Sequence, residues 1–262
     1  MPGTGKRKNG IWARRVSSAN KEVVVKKRTL GKATLLAVMM AVLLTGCVGG
    51  GEARTESERV ELGSAESARV QIDMGVGALI IGGGANDLLE GEFTYSHDSW
   101  KPVVEYEVRG SEGLLTISQP SELGTIGFPN VKYEWDLRFN SEVPMEMKID
   151  MGVGGAQLQL GDLNLRKLTI DVGVGGADIS LDGDWETDLE ASIKGGVGGL
   201  KVTLPRDVGV RVEAESGLGA VGAPGFNQDG DIYTNDAYGR SNMTLNVKVE
   251  VGVGGVELNL GP

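Results

Sequence analysis

Few residues of this 262-residue chain could do chemistry. Its one cysteine, Cys47, offers a thiolate that could serve as nucleophile, metal ligand or site of modification. Its one histidine, His97, would have to anchor any imidazole-based metal site or catalytic triad alone, from a stretch of turn-forming residues, and reads as an exposed loop side chain. The 36 carboxylates include no spacing that singles out an acid and base pair. The 42 glycines include neither a G-x-x-x-x-G-K-[ST] loop nor a glycine fingerprint leading into a helix, so phosphate cradling is not indicated. A calcium-binding roll places aspartate at a fixed distance after its glycines; here that column is Ile80, Gln157, Asp178, Lys201 and Glu257. No catalytic residue, metal ligand or cofactor is assigned.

The setting of Cys47 gives that thiol a different use. The first 46 residues hold ten of the 26 Lys and Arg and a single acid, Glu22, followed by an apolar run from Leu35 to Leu44. A run of that length crosses roughly half of a ~30 Å hydrocarbon layer, so residues 1–46 read as a secretion signal rather than a span. Leu44-Thr45-Gly46-Cys47 resembles the bacterial lipobox, in which the cysteine takes a diacylglyceryl group and becomes the new N-terminus. The expectation is an extracytoplasmic protein held to the cell membrane or outer membrane by lipid on Cys47, with residues 47–59, glycine-rich and then charged, as a flexible tether. Residues 47–262 carry 16 basic and 35 acidic side chains, a net charge of −19 that disfavours nucleic acid and anionic lipid headgroups as partners.

The elements that carry these residues are set by a repeat. The tetrapeptides starting at Gly75, Gly152, Gly173, Gly196, Gly217 and Gly252 share the pattern Gly-aliphatic-Gly-small, with their second glycines at Gly77, Gly154, Gly175, Gly198, Gly219 and Gly254. Successive first glycines are 77, 21, 23, 21 and 35 residues apart, the mark of a solenoid of about 22-residue coils, two of which carry insertions. Apolar residues alternate with period two on both sides of each tetrapeptide, but their parity switches across it, as in Leu168, Ile170 and Val172 before and Ile179 and Leu181 after. The glycines therefore read as corners that turn the strand while keeping apolar side chains inward. Two residues before the first glycine stand Asp73, Asp150, Asp171, Lys194, Glu215 and Glu250. Stacked in register they form an acidic ladder, either a plainly solvated face or one that attracts cationic partners.

Residues 60–145 read as a β-rich N-terminal unit and 146–261 as the regular solenoid. Short β-rich runs between residues 91 and 139 suggest antiparallel hairpins. Eight of the twelve aromatics after Cys47 lie in 91–140, which predicts small local cores or a recognition surface, with Trp100 and Tyr238 as the exposed candidates for partner binding.

From Met145 to Leu181, the runs Pro-Met-Glu-Met-Lys-Ile-Asp-Met-Gly-Val-Gly-Gly-Ala and Leu-Thr-Ile-Asp-Val-Gly-Val-Gly-Gly-Ala-Asp-Ile-Ser-Leu resemble the toast-rack domain. That domain also ends the LiaF-like cell-wall-active antibiotic response proteins and occurs in adhesin-like proteins; residues 55–145 resemble its N-terminal companion. The resemblance implies an all-β, right-handed single-stranded β-helix with a role in surface attachment or envelope stress, and it supplies no catalytic residues. The expected function is a membrane-anchored, non-catalytic binding, adhesion or stress-sensing module whose partner is an envelope protein or glycan, with self-association through solenoid ends. The alternative is a β-helix polysaccharide-active enzyme, either lyase or hydrolase.

Overall fold

Period-two alternation does what it predicts: inward side chains are buried and outward ones exposed along strand after strand. The computed structural model describes residues 53–120 and 132–262. These form sixteen strands of one sheet: β1 (Arg54–Val60), β2 (Ser67–Gly82), β3 (Leu89–Tyr95), β4 (Val103–Arg109), β5 (Glu112–Ser118), β6 (Tyr133–Phe139), β7 (Met145–Gln159), β8 (Leu165–Ser180), β9 (Leu189–Val197), β10 (Leu200–Leu204), β11 (Gly209–Leu218), β12 (Val221–Gly222), β13 (Asn227–Asp229), β14 (Ile232–Thr234), β15 (Thr244–Val253) and β16 (Val256–Leu260). Among the described residues the one helical turn is Asp98–Trp100. The fold is the all-β solenoid expected from the repeat.

Each coil is a strand bent at its Gly-x-Gly corner, so that one arm precedes the corner and a second follows it. Coils β2, β7 and β8 stack in parallel with both arms in register, and β9 with β10 forms the fourth. The interior column Ile72, Ile149, Ile170, Ile193, Val249 and Ala214 runs through the first arms of all six coils and is buried throughout. Burying each large aliphatic side chain of this kind contributes about 1.5–3 kcal/mol against the unfolded chain.

The corners explain the glycine spacing atom by atom. The second glycine of each tetrapeptide has φ between +137° and +157°, a region open to glycine almost alone. A β-carbon on Gly175 would overlap the carbonyl oxygen of Gly154 in the coil beneath, and the same holds at the equivalent glycines of its neighbours. The fourth position is different: at Gly176 the nearest atom to an added β-carbon is 3.5 Å away. That is why Ala78 and Ala220 can stand there in two of the six corners.

The arrangement goes beyond the sequence reading and in places departs from it. The coils do not stack in chain order: the last, β15 with β16, lies between the fourth and the fifth, β11 with β12. A match of side-chain volumes accompanies it. Val251 of β15 lies between Gly195 and Ser216, the smallest residues at that position of the repeat, with its Cγ2 3.3 Å from where a β-carbon on Gly195 would be. The 35-residue gap holds the hairpin β13–β14, which covers β11 from Arg211 to Glu213. Of the hairpins expected between 91 and 139 only β4–β5 forms between successive strands. β3 pairs instead with β6, while β5 and β6 each run parallel to one arm of β2. This segment therefore extends the first coil's two arms, and β2 pairs with β7 across the division drawn at residues 145 and 146.

Part of the segment expected as tether is strand. Residues 54–60 form β1, paired antiparallel with β3 in unbroken register from Arg54↔Tyr95 to Val60↔Leu89. Arg54 donates to the Tyr95 hydroxyl at 3.2 Å and pairs with Asp98, and Lys101 bridges Glu56 (2.7 Å) and Glu58 (3.4 Å). Charge in this segment marks an edge strand, where outward charges block further pairing, rather than a solvated linker.

Substituting the two glycines of one corner separates these effects. Gly175→Ala is expected to lower unfolding free energy by about 3 kcal/mol or more, from overlap and a backbone region alanine avoids. Gly176→Ala should stay within about 1 kcal/mol of the parent. Urea unfolding of both variants measures the difference, and equal stabilities would contradict the carbonyl-contact account.

Candidate functional site

Because every coil carries the same corner in register, each outward position of the repeat becomes a column about 4.8 Å per step. The acidic column forms as expected, in the spatial order Asp73, Asp150, Asp171, Lys194, Glu250, Glu215. Part of its charge is answered from within. Gln71 Nε2 donates to both oxygens of Asp73 at 3.1 and 2.9 Å, Lys148 pairs with Asp150, and Glu250 accepts from Lys248 at 2.8 Å and Lys194 at 3.4 Å. The hydrogen bond to Asp150 raises the Lys148 ammonium above its ordinary range. The Lys248 hydrogen bond does the same for Lys248 and holds the Glu250 carboxyl below the usual carboxylate range. All these groups are solvated, so each pair contributes only fractions of a kcal/mol. Among the described residues no group of three or more His, Cys, Asp or Glu side chains is placed to hold a metal ion.

A second column was not singled out by sequence reasoning. The aliphatic residue between the two glycines points outward, giving the in-register ridge Val76, Val153, Val174, Val197, Val253 and Leu218. Five of these are between 37% and 51% exposed and Leu218 is 72% exposed. Six residues, five steps apart end to end, make an apolar edge in water about 24 Å long. The ridge was illegible because continuing the alternation from the first arm puts this residue inward; the backbone excursion at the corner reverses it. The usable signal was that the corner needs glycine on either side but needs no aliphatic residue between them.

Grooves flank the ridge. One, of about 660 Å³, has the first glycines for its floor and Asp73, Asp150, Asp171 and Lys194 for its far bank. The other, of about 740 Å³, runs over the small fourth-position residues, Gly155, Gly176 and Gly199 among them, to a mixed-charge bank that includes Asp178 and Lys201. Those two residues are paired at 3.2 Å. At the first coil the Gln119 side chain closes the column: its Oε1 accepts from Val76 N at 2.8 Å and its Nε2 donates to Val76 O at 3.0 Å. A side-chain amide thus supplies two hydrogen bonds of the kind a neighbouring strand makes, a role no spacing in the sequence announced.

Trp100, expected to be exposed, is buried. Its ring meets His97 and Tyr133 edge-on at 4.6 and 6.3 Å between centroids, and its carbonyl accepts from the Tyr133 hydroxyl at 2.8 Å. Burial pushes that phenol far above its ordinary range. The turn at 98–100 folds the indole back onto β6, where Phe93, Tyr95, Trp135 and Phe139 complete an aromatic core for the first coil. Aromatics here fill a cap whose arms are not repeated and so lack the aliphatic columns of the stack. Tyr238 is exposed and His97 lies in an exposed turn. Leu44, Thr45, Gly46 and Cys47, like Phe128, lie outside the described residues.

Comparison with known proteins agrees with this architecture. A family model described as the N-terminal domain of toast_rack, DUF2154, matches residues 49–203. Among solved structures, that of a candidate cell adhesion protein from Clostridium sporogenes is similar at 37% identity and a TM-score of 0.78, covering 80% of this chain and all of the other. A candidate adhesin from Bacteroides fragilis is 13% identical with a TM-score of 0.31, covering 79% of this chain and 97% of its own. No curated protein matches the chain.

The pairing of Glu250 sets a pH dependence. A carboxyl held below its unfolded value stabilises the fold above that value, and the contribution is lost as pH falls through the folded one. Melting temperature should therefore fall on acidification below about pH 4.5, and Glu250→Gln should have a shallower fall, read by circular dichroism at pH 7 and pH 3. An unchanged acid slope in that variant would mean that Glu250 is not held low.

Proposed function

The chain belongs to the toast-rack family, and from that membership we propose that it is a non-catalytic adhesion module, held at the outer face of a bacterial membrane by lipid on Cys47. The observation that carries the adhesion reading is the likeness, at 37% identity over the whole length of the other chain, to the Clostridium sporogenes cell adhesion candidate. The surface described above suits such work. A stack of strands offers an aliphatic side chain six times in a line, five valines and Leu218, with a groove along each flank. Apolar contact along a repeated ridge binds through area rather than through one deep pocket, and exposed ridges of this kind mark interaction surfaces. The ridge rather than the buried aromatics is the contact surface in this reading, and an envelope protein or glycan is the partner class.

Two measurements bear on the proposal. Cys47→Ser should abolish incorporation of a labelled fatty acid and move the protein from the membrane to the soluble fraction; retained label would remove the lipid anchor. For adhesion, cells producing the full chain are compared with cells producing Val153→Glu/Val174→Glu/Val197→Glu in attachment to surfaces coated with purified bacterial envelope. Three carboxylates forced into an apolar contact should weaken attachment at least about tenfold, with the fold intact because these positions are half-exposed. Equal attachment would discard the ridge, and release of reducing ends from envelope glycans by the wild-type chain would replace the module with an enzyme.

A further inference from the structure

The corner column is closed at one end and open at the other. Gln119 covers it at the first coil. At the far end the corner starting at Gly217 belongs to β11 and β12, which β15 and β16 flank on one side only. The hairpin β13–β14 reaches as far as Glu213, and the Ala214 N–H donates to the Asp231 carbonyl. From Glu215 to Gly222 no strand lies against the outer edge among the described residues. Leu218, the most exposed large hydrophobic side chain among the described residues, stands in the middle of this edge.

The glycine geometry restricts what could add there. Within the stack, a β-carbon on the second glycine of a corner would overlap the carbonyl oxygen of the coil beneath, including at Gly219 against Gly254. The Gly219 carbonyl ends that series without a coil over it. A segment laid across it needs glycine at the contact and a bend that follows the corner, which an ordinary extended peptide lacks. This chain makes six such corners, and among the described residues that at Gly217 is left open on a side.

We infer that this open corner edge pairs with the same edge of a second copy of the chain, antiparallel about a two-fold axis at Leu218. This register sets Leu218 against its counterpart, each Gly217 opposite a Gly219, and each Glu215 opposite a Val221. The two Glu215 carboxylates are thereby kept at opposite ends of the contact. The paired segment, residues 215–221, ends where β14 begins to cover β11, so the hairpin bounds the interface without blocking it. The contact is an isologous one, as two-fold symmetry requires. An edge of seven residues, about 23 Å long and 10 Å wide, buries roughly 230 Å² per copy, well below the ~800 Å² per partner of stable complexes. The dimer is accordingly weak and concentration-dependent. It is independent of the adhesion reading, because it uses the end of the ridge and leaves the valines at 153, 174 and 197 free.

The test uses the full chain carrying Cys47→Ser, so that an introduced cysteine is the only thiol. With Leu218→Cys added, mild oxidation by oxidised glutathione should give a disulfide-linked dimer as the main product. With Val174→Cys added, at mid-ridge, the protein should remain monomeric. In parallel, Leu218→Glu should remove the rise of sedimentation coefficient with concentration that the parent shows between about 10 µM and 1 mM. Equal cross-linking at 174 and 218, or a parent that sediments as a monomer throughout that range, would overturn the pairing. Circular dichroism of each variant confirms the fold, and loss of dimer with unchanged cell attachment would leave the adhesion proposal standing.

Discussion

Five carbonyl oxygens, on Gly77, Gly154, Gly175, Gly198 and Gly254, each fill the place where a β-carbon of the neighbouring coil's corner would have to be. The rest of the structure depends on this approach. It holds six corners in one register, which in turn holds the interior columns and the exterior ones in register. A single larger residue in that column would shift a coil along its neighbours. Because side chains alternate with period two, the shift would expose what is buried on both arms. The glycines are thus the registration marks of a fold whose other residues are exchangeable aliphatics.

Register is also what makes the surface. Any residue type kept at one outward position is multiplied into a line, and the chain uses the two positions beside the corner in opposite ways. Two residues before the first glycine it places carboxylates and then interleaves Lys148, Lys194 and Lys248, which offset part of the repulsion, while the neutral Gln71 amide donates to Asp73. Between the glycines it places aliphatic residues that nothing covers among the described residues. Repulsion along a charged column is relieved locally by solvent and counter-charges. An apolar column in water has no such local remedy, so it is the feature that asks for a partner.

How much of this could be read from the sequence follows from which interactions are local. The corner, its spacing and the inward set around Ile170 and Ile193 are consequences of period-two alternation and of glycine stereochemistry, so they were legible. The acidic column was legible for the same reason, but its lysine partners at 148 and 248 were not, since they reach it from the next outward position of the same strands. The position of the last coil brings together residues far apart in the chain, Val251 against Gly195 and Ser216, 56 and 35 positions away. Nothing in the repeat distinguishes that arrangement from simple stacking. Trp100 was misplaced because a turn of three residues decides whether an indole faces water or the core. The amide of Gln119, 43 residues from the corner it closes, had no periodic context at all.

The insertion of the last coil between the fourth and the fifth has a consequence for how the molecule can be assembled in time. A solenoid stacked in chain order can grow one coil after another, each new strand docking on a finished template. Here every strand that pairs with β11 or β12, namely β14, β15 and β16, comes later in the chain. The fifth coil therefore has no template when it is first made; it waits for the segment from Thr244 onward, which must dock on β9 and β10 and receive β11 and β12 on its far side. The order of synthesis and the order of assembly part company at residue 209. A chain truncated before Thr244 would lose the sixth coil and, with it, the surface on which the fifth is built.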